Sequence, residues 1–131
     1  MKKYLPCIVG ILLGLCFLAA SVPVLFNLIK IPPMPEGTPA WLFMEAFVPT
    51  GYVKFVKLFE FTGGIVVMIP RLRNVGLLLL GPVIVNIIAF HVFLAPSGIA
   101  PGAVILLLEI YLAWAYRKQY RSMLTMRTTP D

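Results

Sequence analysis

Five polar side chains interrupt otherwise apolar stretches of the sequence, and these residues could carry chemistry. They are Lys57, Glu60, Asn86, His91 and Glu109. A charged side chain at the centre of a bilayer costs roughly 2.5–3.5 kcal/mol on insertion scales, so such groups are expected to point inward and pair. Lys57 and Glu60 are three residues apart, which places them on one helix face where they can form an ion pair. Histidine adds a group whose charge changes between about pH 5 and pH 8.

These polar groups support two interpretations, polar contacts that hold helices together or a pocket that binds a ligand. Interhelical hydrogen bonds do stabilise membrane bundles. Five groups exceed what the packing of four helices requires, so the sequence favours a pocket lined by all five. Asn86 and His91 lie about 140° apart on an ideal helix. Both line one pocket only if that helix crosses the wall obliquely, or if Pro82 rotates its second half. The apolar walls are expected from Phe55, Phe59, Phe90 and Tyr111.

The sequence contains none of the common catalytic signatures. Motifs such as H-E-x-x-H, G-x-S-x-G and the phosphate-binding loop are missing. A single histidine cannot provide bis-histidine haem ligation, and di-metal helical bundles usually add Glu-x-x-His motifs. We therefore assign no catalytic residue and no metal ligand, and leave open whether the protein is an enzyme.

Four apolar runs supply the elements that must position the polar groups. Of the 131 residues, 60% are hydrophobic and 12% are charged. In soluble domains about half of the residues are apolar and roughly a quarter are charged. The runs predict helices over residues 4–29, 52–69, 75–94 and 100–120, near the roughly 20 residues that a bilayer span needs. The sequence thus predicts an all-α chain, one domain over residues 1–131 that forms an integral membrane four-helix bundle.

Three basic clusters predict how these helices are oriented. The basic residues are Lys2, Lys3, Arg71, Arg73, Arg117, Lys118, Arg121 and Arg127. All eight fall on one side of four alternating helices, and the positive-inside rule places that side and both termini in the cytoplasm. The net charge of +6 is therefore interpreted as a topology signal rather than as a nucleic-acid surface.

The longest connection, residues 30–51, is predicted on the outer side of the membrane. Thr38 and Pro39 are typical of a helix start, with Thr38 as the N-cap and Pro39 as the first helical residue. Residues 41–48 then predict a short amphipathic segment at the membrane interface. We expect this segment to lie near the mouth of the pocket.

The order of these residues resembles that of the DoxX family of small four-helix bacterial membrane proteins. The resemblance covers residues 33–121, roughly two-thirds of the chain. It rests on Gly51-Tyr52, Lys57, Glu60 with Gly63-Gly64, Pro82, Asn86, Phe90-His91 and Leu108-Glu109. It implies a location in the cell inner membrane. Some family members are linked to quinone-coupled thiosulfate oxidation or to oxidative-stress complexes, and distant relatives resemble assembly chaperones for membrane receptors.

Two functions follow as hypotheses from the pocket and the resemblance. The first is a redox-accessory or ligand-binding subunit that holds a quinone or a lipid, at most an accessory part of an oxidoreductase complex. The alternative is a non-enzymatic assembly factor or chaperone whose intramembrane polar groups pair with those of a membrane client. The lipid bilayer is the expected partner in both cases. Association with a membrane protein complex or with further copies of the chain stays open, and nucleic acid is not expected.

Overall fold

The computed structural model describes residues 4–124, which form helices and contain no strand. The helices are α1 (Leu5–Leu25), α2 (Pro39–Phe47), α3 (Tyr52–Met68), α4 (Arg73–Phe93), α5 (Ile99–Ala115) and α6 (Arg117–Leu124), with a 3-10 turn at Pro96–Gly98 before α5. The all-α prediction is confirmed. Lys2, Lys3 and Arg127 of the basic clusters lie outside the described residues.

Three helical segments are long and apolar enough to cross a membrane. They are Leu5–Leu25, Arg73–Phe93 and Pro96–Ala115. Many of their large apolar side chains are exposed, including Leu12 and Leu107, as expected of a surface that contacts lipid. These features indicate a multi-pass protein embedded in a membrane. The fourth long helix, α3, has 17 residues, about 26 Å at 1.5 Å per residue, and carries Lys54, Lys57 and Glu60.

The four long helices alternate in direction and pack in a ring. α1 packs against α3 and α5, and α4 packs against the same two helices. Small residues permit the closest approaches: a Cβ atom added to Gly14 of α1 would lie 2.5 Å from the Gly64 carbonyl oxygen of α3. A Cβ atom on Gly76 of α4 would lie 2.5 Å from the Val67 backbone nitrogen. Dispersion contacts between closely spaced backbones therefore hold α3 between its neighbours.

Burial is concentrated toward the end of the ring at which α4 begins, here called the Arg73 end. In α3 the buried residues begin at Glu60, and in α4 they stop at Ile84. The opposite end, here called the α2 end, is packed less tightly. Space for a ligand is consequently available at the α2 end.

Arg73, counted above among the basic residues that predict the topology, is one of the most buried side chains, with 1% of its surface exposed. Its guanidinium donates to the carbonyl oxygens of Val67 (Nε, 2.9 Å) and Met68 (Nη2, 3.4 Å) and to the Tyr116 hydroxyl (Nη1, 2.7 Å). Gly10 of α1 leaves the room for it, because a Cβ atom there would lie 2.5 Å from Nε. Arg73 thus joins α1, α3, α4 and α5 at one point.

The first helix is shorter than the predicted 4–29. It ends at Leu25 in a Schellman motif, in which the Leu28 amide donates to Pro23 O at 2.8 Å and the Asn27 amide donates to Val24 O at 3.3 Å. Asn27 takes the left-handed conformation that this motif requires, with φ of 53°. The apolar residues after Leu25 continue the hydrophobic run in sequence but not the helix.

The last predicted helix, residues 100–120, is two helices that meet at Tyr116. Arg117 ends α5 by donating to Trp114 O at 2.9 Å, with its guanidinium carbon 4.4 Å from the Trp114 ring centroid. The Tyr120 hydroxyl of α6 donates to Asn74 O at 3.2 Å, which turns α6 back toward the start of α4. Burial, with a smaller contribution from the charge of Glu109, raises the pKa of the Tyr120 hydroxyl, which stays protonated as a donor.

Candidate ligand-binding site

A cavity of about 230 Å³ lies between α3 and α4 toward the α2 end. Its polar lining residues are Lys57, Glu60, Asn86 and His91, and its apolar ones are Met34, Phe43, Met44, Tyr52, Val53, Val56, Ile87 and Phe90. The fold therefore brings together four of the five site residues expected from the sequence. We call this space the α3–α4 cavity.

The expected ion pair between Lys57 and Glu60 is present on the cavity wall. The Lys57 ammonium lies 2.8 Å from Oε2 and 3.1 Å from Oε1 of Glu60. Glu60 is 2% exposed, whereas the Lys57 side chain keeps 22% of its surface accessible. An ammonium group has three N–H donors, so the pair leaves one of them for another acceptor.

His91 enters the cavity wall from the last turn of α4 with a fixed orientation. Its Nδ1 lies 3.1 Å from the Ala95 carbonyl oxygen. A carbonyl oxygen can only accept, so Nδ1 carries the proton in this contact and Nε2 of the neutral ring is an acceptor. Gly98 makes space for the ring, because a Cβ atom there would lie 2.7 Å from His91 Cε1. The sequence shows this glycine two residues after Pro96 but does not connect it with the histidine.

The connection between α1 and α3 covers the cavity. The predicted cap of α2 is confirmed: the Thr38 side-chain oxygen accepts from the Trp41 amide at 3.2 Å, and Pro39 is the first helical residue. Phe43 of α2 contacts Phe90 of α4 with ring centroids 5.3 Å apart. Met44 and, from the extended segment before α2, Met34 also line the cavity. Phe43 and Met44 belong to the segment 41–48 that was expected near the mouth of the pocket, whereas Met34 was not expected there, because nothing local indicates where the connection folds back.

Asn86 lies at the rim between polar and apolar surfaces. It is exposed, and it lines both the α3–α4 cavity and a neighbouring cavity of about 330 Å³. The neighbouring cavity is walled mainly by Phe55, Phe59, Pro82 and Val83. Asn86 and His91 thus line one cavity despite their angular separation on α4, with Asn86 at its lipid-facing side. Phe55 and Phe59 belong to the second cavity, and of the expected wall residues only Phe90 lines the first.

Glu109, the fifth expected site residue, does not line the α3–α4 cavity. It is 9% exposed, and its Oε2 atom has no hydrogen-bond partner among the described residues. Its Oε1 atom lies 3.9 Å from the position of a Cβ atom on Gly81, between α4 and α5. Tyr111 of α5 is likewise not part of the cavity wall. Glu109 and Glu60 were predicted at the same depth in the membrane, but Glu109 does not line the cavity that Glu60 lines.

Across residues 4–124, no group of three or more His, Cys, Asp or Glu side chains could hold a metal ion. Cys7 and Cys16 are both free thiols. Cys7 lies beside Arg73, with Sγ 3.8 Å from Nη2, at the end of the molecule opposite to the α3–α4 cavity. The polar side chains that line the cavity offer hydrogen bonding and charge.

Comparison of the chain with protein-family models, with curated proteins and with solved structures gives no match. The site is therefore interpreted from its own geometry. It combines one free ammonium donor, one imidazole acceptor and one amide at the edge of an apolar space. This arrangement suits a ligand with a small polar head and an apolar body.

Proposed function

We propose that the chain is a DoxX-like inner-membrane protein that binds an amphipathic ligand, a quinone or a lipid, as a redox-accessory or ligand-binding subunit. One observation carries the proposal: the Lys57–Glu60 ion pair and His91 line the same small cavity, whose other walls are largely apolar. Polar groups inside a membrane are costly unless they serve pairing or function. Lys57 and Glu60 already satisfy each other, so His91 and the remaining ammonium donor are available to a ligand.

The size of the cavity indicates which part of the ligand it holds. Its volume of about 230 Å³ is below the roughly 300–1,000 Å³ that encloses a drug-sized molecule. A head group fits this space, and the apolar tail continues past Asn86 along Phe55 and Phe59. A quinone carbonyl oxygen would accept from Lys57, and a quinol hydroxyl would donate to Nε2 of His91.

Replacing His91 with glutamine is expected to weaken binding of a short-chain quinone to the purified full-length protein. The loss of one hydrogen bond corresponds to roughly 3- to 10-fold in affinity. Isothermal titration calorimetry in detergent measures this change, and native mass spectrometry identifies any lipid that co-purifies.

Glu109→Gln is the matched control for the His91 variant, because Glu109 is buried outside the cavity. Its quinone affinity should equal that of the unmodified chain. An equal loss of quinone affinity in both variants would contradict the proposed site. The proposed site would also be contradicted if neither quinones nor co-purified lipids bind in a way that depends on His91.

The same proposal includes a four-helix bundle with both termini in the cytoplasm. It is supported by the alternating directions of α1, α3, α4 and α5, and by Arg71, Arg117, Lys118 and Arg121 at the Arg73 end. In a background without Cys7 and Cys16, cysteines introduced by Ser97→Cys and Lys118→Cys should label from opposite sides of the membrane. Labelling of both from one side would exclude this topology.

The exposed amide of Asn86 favours the second candidate function, an assembly factor for a membrane partner. An amide facing lipid lacks hydrogen-bond partners, and a polar group on a client helix would supply them. Stable co-purification of one membrane protein, abolished by Asn86→Leu but not by His91→Gln, would select this function over ligand binding.

A further inference from the structure

Another cavity at the α2 end, distinct from the two described above, has a different chemical character from the α3–α4 cavity. It has a volume of about 450 Å³ and lies between the end of α1, the segment that follows it and the start of α3. Its polar lining residues are Asn27, Lys30 and Lys54, and its apolar ones are Val24, Ile29, Ile31, Val48 and Val53. Val53 is the residue that the two cavities share.

Two positive charges line this cavity without a neutralising carboxylate. Within residues 4–124 neither Lys30 nor Lys54 forms a salt bridge, since the ion pair there is that of Lys57 with Glu60. The two carboxylates of the α1–α3 connection, Glu36 and Glu45, are not among the lining residues. The positive charge of this cavity therefore favours an anion as its ligand.

The surroundings of the lysines specify the anion further. Asn27 is held by the Schellman motif at the end of α1, and its side-chain amide, an N–H donor, belongs to the lining of the same cavity as Lys30 and Lys54. Lys54 lies in the first turn of α3, so the cavity sits where helices α1 and α3 leave the apolar layer. Lipid phosphates occupy this depth, and five apolar lining residues provide contacts for the glycerol and upper acyl carbons.

We propose that the cavity formed by Asn27, Lys30 and Lys54 binds a phosphoryl anion, the phosphate of an anionic phospholipid head group. Lysine is a common ligand of phosphate as a point charge, and the amide of Asn27 adds a directional hydrogen bond. Free inorganic phosphate shares this chemistry and is the other source of the same ligand. The site does not depend on the function proposed for the α3–α4 cavity.

The test is lipid binding by the full-length chain in detergent, followed by native mass spectrometry. Phosphatidylglycerol and phosphatidylcholine with identical acyl chains are titrated separately. We expect phosphatidylglycerol to bind more tightly, and Lys30→Gln/Lys54→Gln to weaken its binding roughly 10- to 30-fold, as two interfacial charges are lost. Both lysines are exposed, so the variant should keep the thermal midpoint of the unmodified chain.

Arg71→Gln/Lys118→Gln is the matched control, because it removes two exposed charges at the opposite end. It should retain tight phosphatidylglycerol binding. Equal weakening in both double variants, or equal affinity for the two lipids, would overturn the proposal. Displacement of the lipid by millimolar inorganic phosphate would identify free phosphate as a ligand of the same site, and resistance to it would identify the lipid.

Discussion

Replacing Arg73 with leucine is expected to lower the free energy of unfolding in detergent by about 3–5 kcal/mol. The last carbonyl groups of a helix have no partner within it, and Val67 and Met68 are the final two residues of α3. The Arg73 guanidinium donates to both of these carbonyls and to the Tyr116 hydroxyl. Leucine fills part of the volume but leaves the buried Val67 carbonyl and two part-buried groups, the Met68 carbonyl and the Tyr116 hydroxyl, without this donor. Thermal unfolding followed by circular dichroism measures the loss.

Arg71→Leu provides the control for this prediction. Arg71 is two residues away and exposed, so its replacement should change stability by no more than about 0.5 kcal/mol. Arg73→Lys should fall between the two variants, because an ammonium keeps the charge but loses the planar set of donors. Equal stability of the Arg73→Leu and Arg71→Leu proteins would show that the guanidinium does not cap α3.

The second large effect is expected for Glu60→Ala, which should lower stability by about 2–4 kcal/mol. The substitution leaves the Lys57 ammonium without its carboxylate at a depth where it remains only 22% exposed. Breaking a fully buried pair costs roughly 3–5 kcal/mol, and the access of Lys57 to the cavity reduces that figure. Phe59→Ala removes a larger but 40% exposed side chain from the adjacent position and should cost less.

A double variant separates stability from binding at this ion pair. In Lys57→Met/Glu60→Met both charges are replaced by apolar groups of similar length, which is often neutral for folding. We expect this protein to unfold near the temperature of the unmodified chain while losing quinone affinity. If Phe59→Ala lowers stability as much as Glu60→Ala does, Glu60 lies in a hydrated environment rather than in a buried ion pair.

The features that the sequence predicted correctly are those decided by local pattern. Long apolar runs predict helices apolar enough for a membrane, because an isolated helix satisfies its own backbone there. The cap at Thr38 and the ion pair of Lys57 with Glu60 depend on residues within one turn of each other. The predicted helix boundaries were correct only where a proline or glycine marks them, because these residues also act on the local backbone.

The features that were missed depend on which faces of the helices meet. Glu109 was grouped with Glu60 by depth, but depth leaves rotation about the helix axis undetermined. The buried position of Arg73 was not predicted, because nothing near it in sequence shows that Gly10, 63 positions earlier, makes room for its guanidinium. The position of α6 after Tyr116 depends on the contact of Tyr120 with Asn74, which forms only after α6 packs against the start of α4.

The close contact of Gly14 with Gly64 has a mechanical consequence for the whole molecule. Two backbones in contact cannot approach further, so a change in the angle between α1 and α3 would pivot about this point. Tyr52 is 12 residues from Gly64 along α3, about 18 Å, so a tilt of about 10° displaces that end by about 3 Å. Such a displacement approaches the roughly 3.5–4.0 Å that separates two carbon atoms in contact. A small change of angle at the tight contact is therefore amplified at the α2 end, where the α3–α4 cavity lies.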